Sequence, residues 1–290
     1  MGQLVLDDVC FAYDNDLSGK RITKNNFTED DLALKHLNIT VEDGEFICLV
    51  GHSGCGKTTT LRTLAGLQKP IQGTITIGDH PLNGPGLDRA VVFQNYALFP
   101  WMTAAKNIEF GLKQASKELG RNQTKEQMHE IALEFLDKVN MGHAADMKPY
   151  QLSGGMQQRV AIARALAMDT EILLFDEPFG ALDIKTRREL QMLMQNLRIN
   201  EEIRKTAVFV THDIEEAILL ADRVVFMSGG KLLNEFRVTT LRPRDPETFC
   251  DTEEYREIRA SLMKCFYEAV ENIDRKDDEK MPDSIEGEVA

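Results

Sequence analysis

The residues with the clearest chemical capacity run Gly51-His52-Ser53-Gly54-Cys55-Gly56-Lys57-Thr58, the pattern G-x-x-x-x-G-K-[ST]. Glycines so placed let backbone N–H groups turn inward around a chain of phosphates, and the N-terminus of a following helix adds positive potential. In such a loop Lys57 meets the β and γ oxygens, and the Thr58 hydroxyl is a ligand for Mg²⁺. A second stretch, Leu173-Leu174-Phe175-Asp176-Glu177-Pro178, ends an apolar run in two carboxylates. Asp176 suits a hydrated Mg²⁺ and Glu177 an attacking water, the two needs of hydrolysis at a terminal phosphate. An Asp-Glu pair alone also suits a helix N-terminus, where the dipole favours acids. A phosphate loop in the same chain weighs against that reading.

For this chemistry the loop must join a strand to a helix. Phe46–Val50 is a strand-sized apolar run leading into it, and Thr59–Leu67 has helix-like spacing. Further strands are expected at Leu4–Phe11 (ending near Tyr13), Leu34–Val41, Gly73–Ile77, Ala90–Phe93, Ile172–Phe175, Ala207–Val210 and Val224–Met227. Helices are expected from about Thr103 to Val139, at Met156–Met168, at Thr186–Arg198 and at Ile214–Ala221. Strands alternating with helices predict an α/β core around a parallel sheet. Gly229-Gly230 reads as a hairpin turn into Lys231–Val238, and Asp14–Asp31 as a long polar loop. Beyond Pro243-Arg244-Asp245-Pro246, the residues Tyr255, Ile258, Leu262, Phe266 and Val270 recur at three- or four-residue spacing. That predicts an amphipathic helix begun at Asp251 or Thr252, with a loose charged end after about Asp274.

Composition bounds the function. The 290 residues are 42% hydrophobic and 28% charged, enough for a packed core and against wholesale disorder. No run of eighteen apolar residues occurs, so the chain is not expected to cross a membrane. Met1–Phe11 lacks the basic-then-apolar pattern of a secretion signal. Five cysteines (Cys10, Cys48, Cys55, Cys250, Cys265) are scattered without a Cys-x-x-Cys pair. They point to a reducing compartment and indicate neither a disulfide framework nor a zinc site. The net charge is -13, from 47 acidic and 34 basic residues, with 15 acidic against 7 basic after residue 242. A nucleic-acid partner needs a basic face, and the chain advertises none.

Leu152-Ser153-Gly154-Gly155-Met156-Gln157-Gln158-Arg159 resembles the signature of the ATP-binding cassette (ABC) ATPases, the motor subunits of ABC transporters. Further elements are similar to that family's in the same order. Tyr13 stands where the adenine-stacking aromatic should be, although Phe11 competes for that role, and Gln94 stands at the Q-loop glutamine. Ala181-Leu182-Asp183 matches the D-loop and His212 the switch histidine. The resemblance covers residues 4–238. It implies a P-loop NTPase core with an antiparallel β subdomain and an inserted α-helical subdomain at about 95–165. The ATPase domain is then 1–242, and 243–290 forms a C-terminal helix and acidic tail. The implied cofactors are ATP and Mg²⁺. The implied catalytic residues are Glu177, His212 and Gln94, and Thr58, Gln94 and Asp176 hold the metal. Nucleotide contacts fall to Tyr13, Gly51, Ser53, Gly54, Cys55, Gly56, Lys57, Thr58 and Thr59. Ser153, Gly154, Gly155, Gln157 and Asp183 close over the γ-phosphate of a second copy in a head-to-tail dimer. Cys55 reads as a small side chain that fits a tight loop, with redox sensitivity as the other reading.

Gly84–Arg89, the run Val91-Val92-Phe93-Gln94-Asn95-Tyr96 and Leu98–Thr103 resemble the nitrate/sulfonate/taurine importer branch. That likeness implies a peripheral subunit on the cytoplasmic face of the inner membrane. Its partners would be a separately encoded permease and, indirectly, an extracytoplasmic solute-binding protein. Phe99, Trp101 and Met102 would either receive the permease's coupling helix or fill the helical subdomain's core. The C-terminal helix would either pack on the chain's own sheet or make a second dimer contact. An exporter subunit or a non-transport ABC ATPase is the alternative function.

Overall fold

Short runs of β-branched and aromatic residues that alternate with amphipathic helices can bury both strand faces only by forming a sheet between two layers. The computed structural model shows this arrangement. It describes residues 3–14, 21–118, 120–180, 182–199 and 205–278, with side chains as far as Glu271. Part of the Asp14–Asp31 loop, Ala181 of the D-loop and the acidic end of the tail fall outside the described residues.

The chain runs β1 (Leu4–Ala12), β2 (Leu32–Val41), β3 (Phe46–Val50), α1 (Lys57–Leu64), β4 (Gln72–Ile77), β5 (His80–Pro81), β6 (Arg89–Val92), α2 (Ala104–Glu118) and α3 (Lys125–Lys138). It continues as α4 (Gly154–Ala167), β7 (Ile172–Asp176), α5 (Ile184–Ile199), β8 (Thr206–Val210), α6 (Ile214–Leu220), β9 (Arg223–Ser228) and β10 (Lys231–Arg237). It ends in α7 (Pro246–Phe249) and α8 (Glu253–Asp278). One sheet has the order β10-β9-β3-β8-β7-β6, parallel except for β10. The other is antiparallel, in the order β2-β1-β4-β5.

Alternation along β3 divides the core. Phe46, Cys48 and Val50 join residues of α4, α5, α6 and α8 in one cluster. Ile47 and Leu49 face the other way, onto α1 and the antiparallel sheet. A third cluster joins α2, α3 and α4, centred on Ile108, Leu112, Leu136 and Val160. Two boundaries differ from the sequence expectation. Helix α1 begins at Lys57 rather than Thr59, because Gly56, at φ 106°, turns the loop directly into it, and ends at Leu64 rather than Leu67. Helix α8 stays regular to Asp278, beyond the expected loose end.

The C-terminal segment shares the main core. Tyr255, Ile258, Leu262 and Ala269 of α8 are buried there, and Phe266 lies edge-on to Phe226 of β9 with centroids 4.9 Å apart. Val270 is exposed and Ala269 takes its place, because i+7 from Leu262 stays on the packed face. Arg244 is buried at the end of α6 and donates to the carbonyls of Ile218, Leu219 and Ala221. These are groups that a helix C-terminus leaves unpaired. Burial lowers its pKa to about 10, so it stays charged at neutral pH.

Glu254, in the first turn of α8, clamps the chain after β10. Its carboxylate accepts the backbone N–H groups and hydroxyls of Thr239 and Thr240. Burial opposes its ionisation, but these four hydrogen bonds outweigh that and bring its pKa down to about 2. A carboxylate with a depressed folded pKa adds stability above its unfolded pKa and loses it as pH falls through the folded value. Urea midpoints measured against pH should therefore fall more steeply in the native chain than in Glu254→Gln between about pH 4.5 and 2. Parallel curves would show that the clamp adds nothing.

Candidate functional site

The phosphate loop leaves the sheet at the carboxyl end of β3. Two of its glycines are required by space. A Cβ on Gly51 would lie 2.2 Å from the carbonyl oxygen of Met227, and one on Gly56 would lie 2.9 Å from Leu34 Cδ2, at a left-handed φ of 106°. Lys57, buried at 6% exposure, donates from Nζ to the carbonyls of Gly51 at 2.7 Å and His52 at 3.0 Å. Cys55 is wholly buried with its Sγ 3.7 Å from that ammonium, and burial pushes its thiol pKa up. The environment thus favours the unreactive thiol over a redox-active thiolate.

Parallel pairing brings the carboxylates to the same edge. Asp176 ends β7 opposite Val210 of β8. Thr58 Oγ1 donates to Asp176 Oδ1 at 3.0 Å. Asp176 is buried, and burial raises its pKa against the hydrogen bond from Thr58. A hydroxyl and a carboxylate side by side, with the carboxylate held in a poorly solvated place, form a hard-oxygen donor set that fits Mg²⁺. Glu177 follows with φ at 44°, an unfavourable conformation for a residue before proline, and its N–H donates to Val210 O at 3.0 Å. The side chain of Glu177 meets His212, whose Nδ1 lies 3.2 Å from Glu177 Oε2. Four side chains from three elements therefore converge: Thr58, Asp176, Glu177 and His212.

Other residues read from the sequence sit apart. Gln94 is exposed two residues past β6, next to β7 in the sheet, and hydrogen-bonds to neither Thr58 nor Asp176. Phe11 is buried in the second cluster, whereas Tyr13 is 52% exposed with its hydroxyl 3.0 Å from Thr59 Oγ1. Of the two aromatics, Tyr13 alone presents a ring that a base could stack on. Ser53 and Gly54 are exposed on the outer side of the loop.

The signature lies elsewhere, at the start of α4, which packs on α2, α3, α5 and β6. Ser153 caps α4, its Oγ accepting from Met156 N at 3.3 Å. Gln157 donates to the carbonyls of Pro149 and Leu152, which fixes the turn before the helix. Asp183 accepts from the N–H and hydroxyl of Thr186 at the start of α5, and those bonds lower its pKa. A Cβ on Gly154 would come 3.1 Å from the Tyr96 hydroxyl, and one on Gly155 would come 2.3 Å from Thr186 Cγ2.

A buried scaffold behind the switch turn escapes sequence reading. Glu216 of α6 is 4% exposed and accepts from Gln191 Nε2 at 3.0 Å, and Thr211 also bonds its carboxylate. Asp213 caps α6, accepts from nothing beyond that turn except its pair with Arg187 NH1 at 3.5 Å, and donates its own N–H to Thr211 Oγ1. Arg187 and Gln191 are one helical turn apart, so one face of α5 holds the segment that carries His212. An acid and two polar residues on helix faces gave no signal, because their partners are distant in sequence.

Fold and site together define a P-loop nucleotide-binding domain of the ABC ATPase type. The ABC transporter family profile matches residues 34–180, and the chain belongs to that family. It is 45% identical over 235 residues to the bicarbonate transport ATP-binding protein CmpC of Synechococcus elongatus, covering 80% of this chain and 34% of that protein. It thus spans about a third of the length of that relative. It is 43% identical over 239 residues to the nitrate import ATP-binding protein NrtD of the same organism, covering 81% of this chain and 85% of that one. Among solved structures, a dimeric post-hydrolysis state of the ATP-binding cassette MJ0796 bound to ADP and Pi matches with a TM-score of 0.67 and 33% identity, covering 82% of this chain and all of that one.

The Gly155 contact gives a test of the α4–α5 junction. The Thr186 methyl cannot rotate away without breaking its hydroxyl bond to Asp183. Gly155→Ala should therefore destabilise by about 1–3 kcal/mol. Adding Thr186→Ser, which deletes the methyl and keeps the hydroxyl, should recover most of that loss. Additive effects in a denaturation cycle would disprove the contact.

Proposed function

We propose that the chain binds and hydrolyses ATP with Mg²⁺ as the nucleotide-driven subunit of an importer for a small anion. The observation that carries the chemistry is the 3.2 Å approach of His212 to Glu177, beside the Thr58–Asp176 pair. The Gly51–Gly56 backbone and the N-terminus of α1 cradle the phosphates, and Tyr13 stacks on the adenine. Lys57 exchanges its loop carbonyls for the β and γ oxygens. Thr58, Asp176 and Gln94 hold Mg²⁺, which relieves charge on those oxygens when bound. Glu177 orients the attacking water and takes its proton, while His212 donates to Glu177 or the leaving γ-phosphate and holds both in register.

The signature residues belong to the other half of a composite site. Ser153, Gly154, Gly155 and Gln157, with Asp183, face the nucleotide of a second copy, so two chains enclose two ATP molecules head to tail. The position of α4, packed on α2, α3 and α5 rather than over the phosphate loop, supports this reading. Hydrolysis then opens the dimer, a two-state change biased by the bound nucleotide.

Membrane attachment is through a separately encoded permease at the cytoplasmic face of the inner membrane. Among the described residues no helix is long and apolar enough to cross a membrane. Trp101 is 68% exposed, and its ring sits 5.5 Å from Phe99, which in turn lies 4.7 Å from Phe110. An exposed aromatic cluster on the helical layer suits an amphipathic coupling helix of the permease. Relatives named for bicarbonate and nitrate support a small inorganic anion as the solute, delivered by an extracytoplasmic binding protein.

Glu177→Gln should reduce turnover by about 10²–10⁴-fold and leave ATP binding intact, trapping a dimer visible by size-exclusion chromatography. Lys57→Ala should instead weaken nucleotide binding. Gentle extraction of tagged Glu177→Gln with MgATP should recover a polytopic permease. Native turnover in both variants, or co-purification of a soluble partner alone, would overturn the assignment.

A further inference from the structure

The antiparallel sheet carries a cluster of metal-ligating side chains remote from the phosphate loop's Thr58–Asp176 pair. Among the described residues, Asp8 and Cys10 of β1 and His36 of β2 are the group whose ligand atoms all lie within 4.8 Å of one another. We propose that Asp8 Oδ1, Cys10 Sγ and His36 Nδ1 form a binding site for a borderline or soft divalent cation such as Zn²⁺ or Co²⁺.

Donor chemistry selects the metal class. A thiolate, an imidazole and a single carboxylate suit Zn²⁺ and its first-row neighbours, whereas Mg²⁺ and Ca²⁺ take oxygen. Cys10 is fully buried and forms the floor, while the Asp8 and His36 side chains are 46% and 50% exposed and form an open rim. A cation can therefore approach from solvent, and water can complete a four-coordinate shell. Tetrahedral ligands at 2.0–2.3 Å stand about 3.3–3.8 Å apart. His36 Nδ1 and Asp8 Oδ1, now 2.6 Å apart, need to spread by about 1 Å, which two exposed side chains can do.

The surroundings hold the ligands in place. Gln72 Nε2 donates to Asp8 Oδ2 at 2.6 Å and leaves Oδ1 facing His36. Asn38 accepts the Asp8 N–H at 2.9 Å and donates to the His36 carbonyl at 2.9 Å. Asp8 and His36 both have φ of 51°, and β1 carries register shifts against β2 on either side of Val9. These kinks bring positions 8, 10 and 36 to one point, where a regular ladder would separate them. Capture exchanges the Cys10 S–H proton, released to solvent, for a sulfur–metal bond. The proton between His36 Nδ1 and Asp8 Oδ1 leaves that contact, the imidazole holding its one proton on Nε2 instead, so that the Nδ1 lone pair goes to the metal. Affinity therefore rises with pH.

The test is a Co²⁺ titration of the full-length chain without nucleotide or Mg²⁺. One equivalent should produce thiolate-to-cobalt charge-transfer absorption that Zn²⁺ abolishes. The band should persist in the Cys250→Ala/Cys265→Ala double variant and vanish in Cys10→Ala. His36→Ala, at an exposed side chain, should weaken binding at least tenfold even if Cys10→Ala misfolds. Gln72→Ala, which removes no ligand, should weaken it roughly 10–100-fold. Absence of the band, or its survival without both the Cys10 thiol and the His36 ring, would reduce the cluster to a hydrogen-bonded knot holding the two kinks.

Discussion

Five-residue strands buried on both faces leave polar side chains no place except beyond their ends. Every residue of β3, β7 and β8 is buried, so the loops at their carboxyl edge are where charge can be presented. The register then fixes which charges meet. Leu49 pairs with Val210 and Val210 with Asp176, so the phosphate loop, the carboxylate pair and the switch turn begin at one level of the sheet. A slip of one residue would reverse the direction of every side chain on the slipped strand and separate Glu177 from His212. The Thr58–Asp176 hydrogen bond closes the arrangement, tying the first turn of α1 to the end of β7.

What the sequence showed and what it hid follow from the range of the interactions involved. Local chemistry was legible: the glycine loop, the carboxylates ending an apolar run and the small residues at a helix start each carry their meaning within about eight positions. Strand positions were legible too, because apolar runs of four or five residues admit few alternatives. Pairings across the chain were not. Gln191 and Glu216 are 25 residues apart, and Cys10 and His36 are 26 apart. Spacing motifs record only residues close in sequence, so the proximity of Asp8, Cys10 and His36, which two kinked strands supply, left no such pattern. The face of α8 was legible as far as Phe266. The last buried position among the described side chains, Ala269, was passed over for the larger Val270, since hydrophobicity outweighs angle when a helix end is read from residue type.

Buried polar residues do more than satisfy one another. Arg223 of β9 donates to both oxygens of Glu45, to Glu235 on β10 and to the carbonyl of Thr40 on β2, so one guanidinium joins both sheets. Its planar fork makes such multiple contacts at fixed angles, which a lysine could not reproduce. Arg244 does the corresponding work at the end of α6. Because Gln195 of α5 also exchanges hydrogen bonds with the Arg244 backbone, the chain after Pro243 is bound to α5 and α6 together. The segment that follows the last strand is thus fastened to the same two helices that support the switch turn.

That shared support bears on how the proposed dimer would communicate with its own chemistry. Asp183 and Thr186 start α5 beside Gly155, and Arg187, the next residue, together with Gln191, one turn beyond it, braces Asp213 and Glu216 around His212. Helix α5 is therefore in contact with the signature at Thr186 and with the switch turn from the next residue on, over about 1.5–7.5 Å along its axis. A rigid helix transmits a displacement at its first turn to its second with little loss, since packed elements shift as units rather than deform. Pressure on the D-loop from a second copy would reach the Glu177–His212 pair by this route, through Arg187 and Gln191, which the proposed reading places on neither nucleotide.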